Sequence, residues 1–339
     1  MERIQESNKG NQQVAGTKRV ANPNKIISVK PTAAITDVRG IEVGHAQDEE
    51  ALTGCTAILC RKGAVAGVDV RGGAPGTRET NLLDPVNAVE KVHAVVLAGG
   101  SAFGLDAAGG VMRYLEEQSI GFHTGVTKVP IVSSAILYDL GIGRGDVRPD
   151  SAMGYHAAVS ASFLTPAEGN VGAGTGASVG KMRGMKYAMK SGIGTWSTKV
   201  HGIVIGALVA VNAIGDVVDP NSGEPVAGLR SGNTMKWMKE HRPRATVTSN
   251  TVIGVVATNA RLTKAQATKV AQMAQDGLAR VIRPAHTMFD GDTIFALATG
   301  VKKADVSLVG AFAAEVMAEA ILRAVRMATP AGGLPGLSK

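Results

Sequence analysis

The dipeptide Asn250-Thr251 has the residue types that an amide-cleaving nucleophile requires. Thr251 opens the apolar run 252–256, so a strand-forming threonine is the ordinary interpretation. If the bond before Thr251 were broken, one residue would carry both a nucleophilic hydroxyl and a free α-amine. Because an α-amine titrates near pH ~7.7–8.0, it can accept the hydroxyl proton at neutral pH without a histidine. The dipeptide is therefore a candidate self-cleavage site.

Other polar residues have the chemistry to assist such a nucleophile. Lys181 ends the glycine-rich run 172–181, where it can stabilise developing negative charge or lower the pKa of a nearby amine; the alternative is a solvated lysine. Asn212 ends an apolar strand, where its amide can donate to an oxyanion or simply initiate a turn. Asp290 and Asp292 can polarise a hydroxyl or hold an ammonium, and a turn is the alternative.

Neither glycine-rich turn has the spacing of a nucleotide-binding loop. Residues 99–104 follow a strand and open a helix, but they lack the Gly-x-Gly-x-x-Gly pattern and a P-loop lysine. In the run 172–181, Met182 stands where a P-loop has Ser or Thr. Close strand–helix packing is the favoured interpretation of residues 99–104, with a contribution to a substrate pocket as the alternative.

Composition argues against nucleic-acid binding. The net charge is +8, but half of it comes from residues 1–30, which hold six basic and two acidic residues. Aromatic residues make up only 4% of the chain, too few to suggest a base-stacking surface. We therefore expect no nucleic-acid partner.

The two cysteines, Cys55 and Cys60, match neither a Cys-x-x-Cys redox pair nor a zinc site. We interpret them as core residues on opposite faces of a strand, in a reducing cytoplasm. No apolar run reaches ~18 residues without a charge, and the N-terminus has no signal-peptide core, so we expect no membrane association. The Asp-Gly-Asp sequence has too few ligands for calcium, and His286 is interpreted as structural. No cofactor or metal is expected.

The polar residues 1–30 are predicted to be a flexible tail, and residues 31–339 a single domain. Residues 220–248 are interpreted as a long mobile connection that ends just before Thr251. Ser101 is predicted to cap the helix that follows it. Strands are predicted at 56–59, 64–70, 93–97, 201–211, 252–258 and 293–298, and helices at 102–118, 150–162, 263–280 and 311–326.

Taken together, these motifs resemble the P1 family of self-processing peptidases and amidases, from about residue 35 to residue 320. That family includes the L-aminopeptidase/D-esterase, the β-peptidyl aminopeptidases and the nylon-oligomer hydrolases. The resemblance implies an α+β fold, a four-layer αββα sandwich of the DmpA-like N-terminal-nucleophile type. Its clearest pieces are residues 40–45, 97–105, 132–139, 250–251 and 286–293.

The resemblance also implies roles for individual residues. Self-cleavage would give an α chain, 1–250, and a β chain, 251–339. Lys181 and Asn212 would stabilise charge and bind the oxyanion, while Asp290 and Asp292 would orient Thr251 and tune its amine. The residues implied for the substrate pocket are Tyr138, Ser133, Gly100 and Ser101.

Asn-Thr at the cut and Asp-Gly-Asp after it are similar to the nylon-oligomer hydrolases, which favours endo-cleavage of linear amides such as 6-aminohexanoate oligomers. An aminopeptidase or amidase that releases N-terminal residues from peptides or β-peptides is the main alternative. Acetyl transfer is disfavoured because the Met-Ala-Thr context is absent. A non-enzymatic small-molecule binding module would predict an intact chain. Family members tend to assemble from several α/β units, so a homo-oligomer is expected.

Overall fold

The computed structural model describes residues 33–241 and 250–339. The predicted tail, residues 1–30, and the end of the predicted connection, residues 242–248, lie outside these ranges. The helices are α1 (Ala107–Glu117), α2 (Ser151–Val159), α3 (Thr234–Glu240), α4 (Lys264–Val281) and α5 (Val306–Arg326). The strands are β1 (Glu42–Asp48), β2 (Thr53–Val70), β3 (Thr77–Arg78), β4 (Lys91–Ala98), β5 (Phe122–His123), β6 (Lys128–Val129), β7 (Val132–Ile136), β8 (Ser178–Val179), β9 (Met189–Lys190), β10 (Ile193–Val200), β11 (Ile203–Asn212), β12 (Asp216–Val218), β13 (Pro225–Ala227), β14 (Thr251–Ala260), β15 (Ile282–Arg283) and β16 (Thr293–Lys302).

The long strand β2 belongs to both halves of a mixed sheet whose order is β10-β11-β14-β16-β2-β4-β7-β3, with β1 also paired to β2. The first part of β2 pairs with β1 and with β4, and its last part, from Val65 to Val70, pairs with β16. The pairing shifts between Leu59 and Ala64. One continuous strand therefore connects two groups of strands.

The apolar residues sort into layers around these two groups. Along β14, Ile253 and Val255 share a core with Ile58 and Val95 of the other group. Val252, which precedes Ile253 and lies on the other face of the strand, instead packs with α4 and α5. A third core joins the remaining face of β2 and β4 to α1 and α2. This alternation with period two gives the order helices, sheet, sheet, helices, as predicted.

Local sequence explains where most helices begin. Thr263 caps α4 by accepting from the Gln266 N–H, and the Gln266 side chain accepts from the Thr263 N–H in return. Asp150 caps α2 by accepting a hydrogen bond of 2.8 Å from the Met153 N–H. No helix in the described ranges is long and apolar enough to span a membrane.

Three local predictions were wrong. Ser101 does not cap a helix: Gly100, with a φ angle of 78°, precedes a 3-10 helix over Ser101–Asp106, and that helix continues into α1 at Ala107. The strands predicted at 56–59 and 64–70 are parts of a single strand, β2. The predicted connection 220–248 contains β13 and α3 in its described part, since Asn233 caps α3.

Candidate active site

Three strand ends bring the candidate residues together. Thr251 is the first residue of β14, and Asn212, the last residue of β11, is its partner in the antiparallel register. Asn250 forms an isolated parallel bridge with Asp290, which precedes β16. Asn212, Asn250, Thr251 and Asp290 are all buried, with at most 3% of each residue exposed. Strand pairing in the sheet therefore brings residues that are far apart in sequence together at one site.

The carbonyl oxygen of Asn250 is the centre of this arrangement. The Gly291 N–H donates to it at 2.9 Å, and the Thr251 hydroxyl contacts it as well. A Cβ atom at position 291 would lie 2.6 Å from the Ala74 carbonyl oxygen and 2.9 Å from the Thr251 Oγ1, which explains the glycine. A backbone donor at this carbonyl can stabilise an oxyanion that forms there. The sequence prediction missed this donor, although the glycine between two aspartates was its signal.

Lys181 and Asn212 contact each other directly. The Lys181 Nζ donates to the side-chain oxygen of Asn212 at 2.7 Å and to its backbone oxygen at 2.9 Å. The Ser178 N–H also donates to that side-chain oxygen, at 3.1 Å, and the Asn212 Nδ2 donates to the Tyr138 carbonyl at 2.8 Å. These contacts fix which end of the amide is the donor.

Burial lowers the pKa of Lys181 to about 7, against the opposing attraction of Asp290 and Asp139. Lys181 therefore titrates near neutral pH, where a lysine can change charge during a reaction. The solvated lysine that the sequence left open is not what the structure shows, because the side chain is partly buried against Asn212.

Asp290 and Asp292 are held by different partners. Asp290 accepts from the Thr287 hydroxyl at 2.6 Å and from the Thr287 N–H at 2.9 Å. Asp292 accepts from the Val252 N–H at 2.8 Å, and its other oxygen lies 2.9 Å from the His286 Nδ1. Burial, followed by the charge of Asp292, raises the pKa of Asp290 to about 6. Asp292 thus holds the start of β14 by its hydrogen bond to Val252, the residue after Thr251.

The family model described as Peptidase family S58 matches residues 33–338, which is almost all of the described chain.

The chain belongs to Peptidase family S58. An uncharacterised aminopeptidase of Mycobacterium leprae is 43% identical over 349 residues, covering 91% of this chain and 94% of the relative. The 6-aminohexanoate-oligomer endohydrolase of Kocuria sp. is 32% identical over 329 residues, covering 89% of each chain. This S58 chain is an amide-bond hydrolase, in keeping with these relatives.

Solved structures support the fold of the S58 chain. The L-aminopeptidase D-Ala-esterase/amidase of Ochrobactrum anthropi, described as a variant of the Ntn hydrolase fold, matches with a TM-score of 0.69 at 23% identity, over 89% of this chain and 88% of that one. A β-aminopeptidase of Burkholderia sp. matches with a TM-score of 0.66 at 24% identity, over 90% of each chain. The predicted N-terminal-nucleophile fold is confirmed.

A cavity of about 160 Å³ opens beside Lys181 in the S58 fold, with Tyr138 and Asp139 in its wall and Ile142 and Met185 as apolar lining. Tyr138, which the resemblance implies as a pocket residue, lines this cavity, and its role in substrate binding stays a prediction.

The other implied pocket residues lie nearby but outside this cavity wall. Gly100 donates its N–H to Asp139 at 2.7 Å, and the Ser101 N–H donates to the Leu137 carbonyl. Ser133 is fully buried on β7. Their roles in binding stay predictions.

The described part of the S58 chain has no cluster of three or more His, Cys, Asp or Glu side chains that could hold a metal ion.

Proposed function

We propose that the chain is a self-processing N-terminal-threonine hydrolase that cuts linear amides of the 6-aminohexanoate-oligomer type internally. One observation carries the proposal: the Asn250 carbonyl lies against both the Thr251 hydroxyl and the Gly291 N–H. An attacking oxygen and an oxyanion donor thus meet at a single scissile bond.

In self-cleavage, the Thr251 Oγ1 attacks the Asn250 carbonyl carbon and forms a tetrahedral oxyanion. The Gly291 N–H stabilises that oxyanion. The C–N bond then breaks, the nitrogen takes up the proton that the Thr251 hydroxyl gave up, and an ester joins the Asn250 carbonyl carbon to the Thr251 Oγ1. Water hydrolyses the ester, which leaves the Asn250 carboxylate and a free Thr251 amine and hydroxyl.

In turnover, the Thr251 amine takes the proton of its own hydroxyl as Oγ1 attacks the substrate carbonyl. The ammonium form then protonates the leaving nitrogen, and water releases the acyl group. Lys181 supplies positive charge to the oxyanion, and it holds the Asn212 amide with its nitrogen as the donor end. Asp292 keeps Thr251 in place through the Val252 N–H.

Charge at the cavity supports internal cleavage. Both oxygens of Asp139 already accept hydrogen bonds, from the Gly100 N–H and from the Thr53 hydroxyl. Lys181 in the same wall repels a substrate ammonium whenever it is protonated. A neutral aliphatic amide segment avoids this repulsion and fits against Ile142 and Met185.

The second candidate is an aminopeptidase, which the names of the mycobacterial relatives at 43% identity favour. Hydrolysis of one 6-aminohexanoate oligomer, with its amine free or acetylated, separates the two activities. We expect the acetylated oligomer to be cut at least as fast as the free one. If only the free oligomer is cut, the chain is an aminopeptidase.

Intact mass measurement of the purified protein tests self-processing. We expect two fragments that meet between Asn250 and Thr251, and a single uncut chain for Thr251→Ala. The control is Thr258→Ala, because Thr258 is a buried threonine at the far end of the same strand, where its hydroxyl donates to the Val204 carbonyl. That variant should be cut like wild type. A folded wild-type chain that stays intact would overturn the proposal.

A further inference from the structure

Lys190, the last residue of β9, is a fully buried lysine that the residues around Thr251 do not explain. Its ammonium donates to three backbone carbonyls, at 2.9 Å to Ala177, 2.7 Å to Ser191 and 3.3 Å to Gly174. All three donors are thereby satisfied, but by neutral acceptors. A buried cation held in this way requires a counter-charge.

Asp139 is that counter-charge. It is 4% exposed, and its attraction for Lys190 opposes the effect of burial on both groups. Burial raises the pKa of Asp139 and lowers the pKa of Lys190 to about 7. The Asp139 oxygens accept from the Gly100 N–H at 2.7 Å and from the Thr53 hydroxyl at 2.8 Å. The carboxylate is therefore fixed in one orientation.

The glycine-rich segment, residues 172–180, packs between these two charges. At Gly176 a Cβ atom would lie 2.5 Å from the Asp139 Cβ, so the backbone there rests directly on Asp139. On the other side, the carbonyls of Gly174 and Ala177 accept from Lys190. The conformation of the segment depends on both residues.

The same segment ends at the active site. Directly after Ala177, the Ser178 N–H donates to the Asn212 side-chain oxygen, which also accepts from Lys181. Three residues after Ser178 the chain reaches Lys181 itself, whose N–H donates to the Ile214 carbonyl. A shift of the segment would therefore move both groups that orient Asn212.

We propose that Lys190 and Asp139 are a buried positioning pair: they hold the glycine-rich segment between them, and through it they set the geometry of Lys181 and Asn212 and the charge of Lys181. This inference rests on the proposed function for its kinetic readout. Lys190 and Asp139 touch neither Thr251 nor Asn250 in the described structure, so their action is indirect.

The pair also acts on Lys181 by charge, and the two members act in opposite directions. In the described chain, the charges that act on Lys181 are Asp290 and Asp139, which raise its pKa, and Lys190, which lowers it. Removing the Lys190 charge should raise the pKa of Lys181, whereas removing the Asp139 charge should lower it. General damage to the fold would not shift the pKa of Lys181 in opposite directions in the two variants.

The test is the pH dependence of the self-cleavage rate for the Lys190→Met and Asp139→Asn precursors, because the Thr251 nitrogen is an amide in the precursor and its titration does not mask that of Lys181. We expect the fall of the rate at high pH, the alkaline limb of the profile, to shift to higher pH in Lys190→Met and to lower pH in Asp139→Asn, each by up to about 1 pH unit. The double variant should return toward the wild-type position. Limbs that stay in place, or move in the same direction, would overturn the inference.

The matched control is Lys264→Met. Lys264 is also buried, and its Nζ also donates to two carbonyls, of Leu82 at 3.0 Å and Asn87 at 2.7 Å. It follows the far end of β14, about 30 Å of strand away from Thr251. We expect Lys264→Met to lower stability without moving the limb.

NMR titration of lysine labelled with ¹³C at Cε separates this inference from the proposed function. The full-length wild-type protein is compared with Lys190→Met, Asp139→Asn and Lys264→Met, and loss of a signal in Lys181→Met assigns Lys181. The same opposed shifts in Lys181 titration would support the pair even if no oligomer were hydrolysed. Lys181 titrations that coincide in all variants would exclude it, whatever the activity.

Discussion

The Asn250 carbonyl accepts from the Gly291 N–H, at a position where a Cβ atom would lie 2.6 Å from the Ala74 carbonyl oxygen and 2.9 Å from the Thr251 Oγ1. Asn212 is the partner of Thr251 in the sheet, and hydrogen bonds to neutral acceptors hold it and Lys181 together. The proposed nucleophile therefore has a backbone donor at the carbonyl before it and a side-chain donor pair that includes its strand partner. Such preorganised donors act mainly on the charge that develops in the transition state.

Replacing either member of the donor pair should slow both reactions. We expect Lys181→Met and Asn212→Ala each to reduce kcat by on the order of 10²–10³-fold, because each removes charge stabilisation or its alignment. Self-cleavage should slow in parallel. Densitometry of the fragments and oligomer hydrolysis measure the two rates.

Asn259→Ala is the control for the asparagine, since Asn259 accepts from the Val204 N–H at the other end of β14. An Asn212→Ala enzyme with wild-type kcat would contradict the oxyanion role of Asn212.

Self-cleavage and turnover should differ in their pH dependence. Lys181, with a pKa of about 7, loses its charge as the pH rises through that value, so the rate of self-cleavage should fall there. Turnover also requires the neutral Thr251 amine, which protonates below pH ~7.7–8.0, whereas in the precursor this nitrogen is an amide and does not titrate. Between pH 6 and 7, we therefore expect turnover to decline while self-cleavage stays near its maximum.

Precursor from cell-free synthesis, diluted into buffers of different pH, allows both rates to be measured on one preparation. Superimposable profiles would exclude the Thr251 amine as the base in turnover.

At the scale of elements, packing of α1 on α2 requires a glycine at position 110 of α1 but not at position 109. A Cβ atom at Gly110 would lie 1.8 Å from the Ser151 carbonyl oxygen, whereas at Gly109 the nearest atom is 3.8 Å away. We expect Gly110→Ala to destabilise the protein by about 1–3 kcal/mol through overpacking. Gly109→Ala should stabilise it by about 0.5–1 kcal/mol through helix propensity.

Urea midpoints of the two variants measure this difference. Equal midpoints would show that α1 and α2 do not approach each other as closely as the structure has them.

Much of this element structure could be predicted from sequence, because periodicity and capping are local. Thr263 and Asp150 begin their helices as expected, within one residue. The continuity of β2 could not be predicted, since Arg61, Lys62 and Gly63 interrupt its apolar pattern.

Within the site, the residues with recognisable chemistry, such as Lys181 and Asn212, could be identified from sequence. Lys190 could not, because nothing around it distinguishes a buried lysine from a surface one. Asp139 and the Gly291 N–H were missed for a related reason: their partners come from distant strands and loops.

At the scale of the whole molecule, the proposed cut would fall at the start of a central strand. β14 lies between β11 on one side and β16 on the other, so the two fragments share hydrogen bonds along its length. The β-chain helices α4 and α5 pack on the same core as β11 of the α chain. We expect the fragments to co-elute in gel filtration and to separate only in denaturant. Dissociation in native buffer would contradict this interleaving.

The shared strand β2 also carries two cysteines whose labelling by a thiol reagent can report the opening of two different packing interfaces. Cys55 belongs to the core beneath α1 and α2, whereas Cys60, five residues later, belongs to the core between the two sheets. Both thiols are buried, burial raises the pKa of each to about 12, and the chain has no other cysteine. A thiol reagent can therefore reach each sulfur only when its own layer separates. The labelling rates of the two sulfurs report separately how often the outer and inner interfaces open.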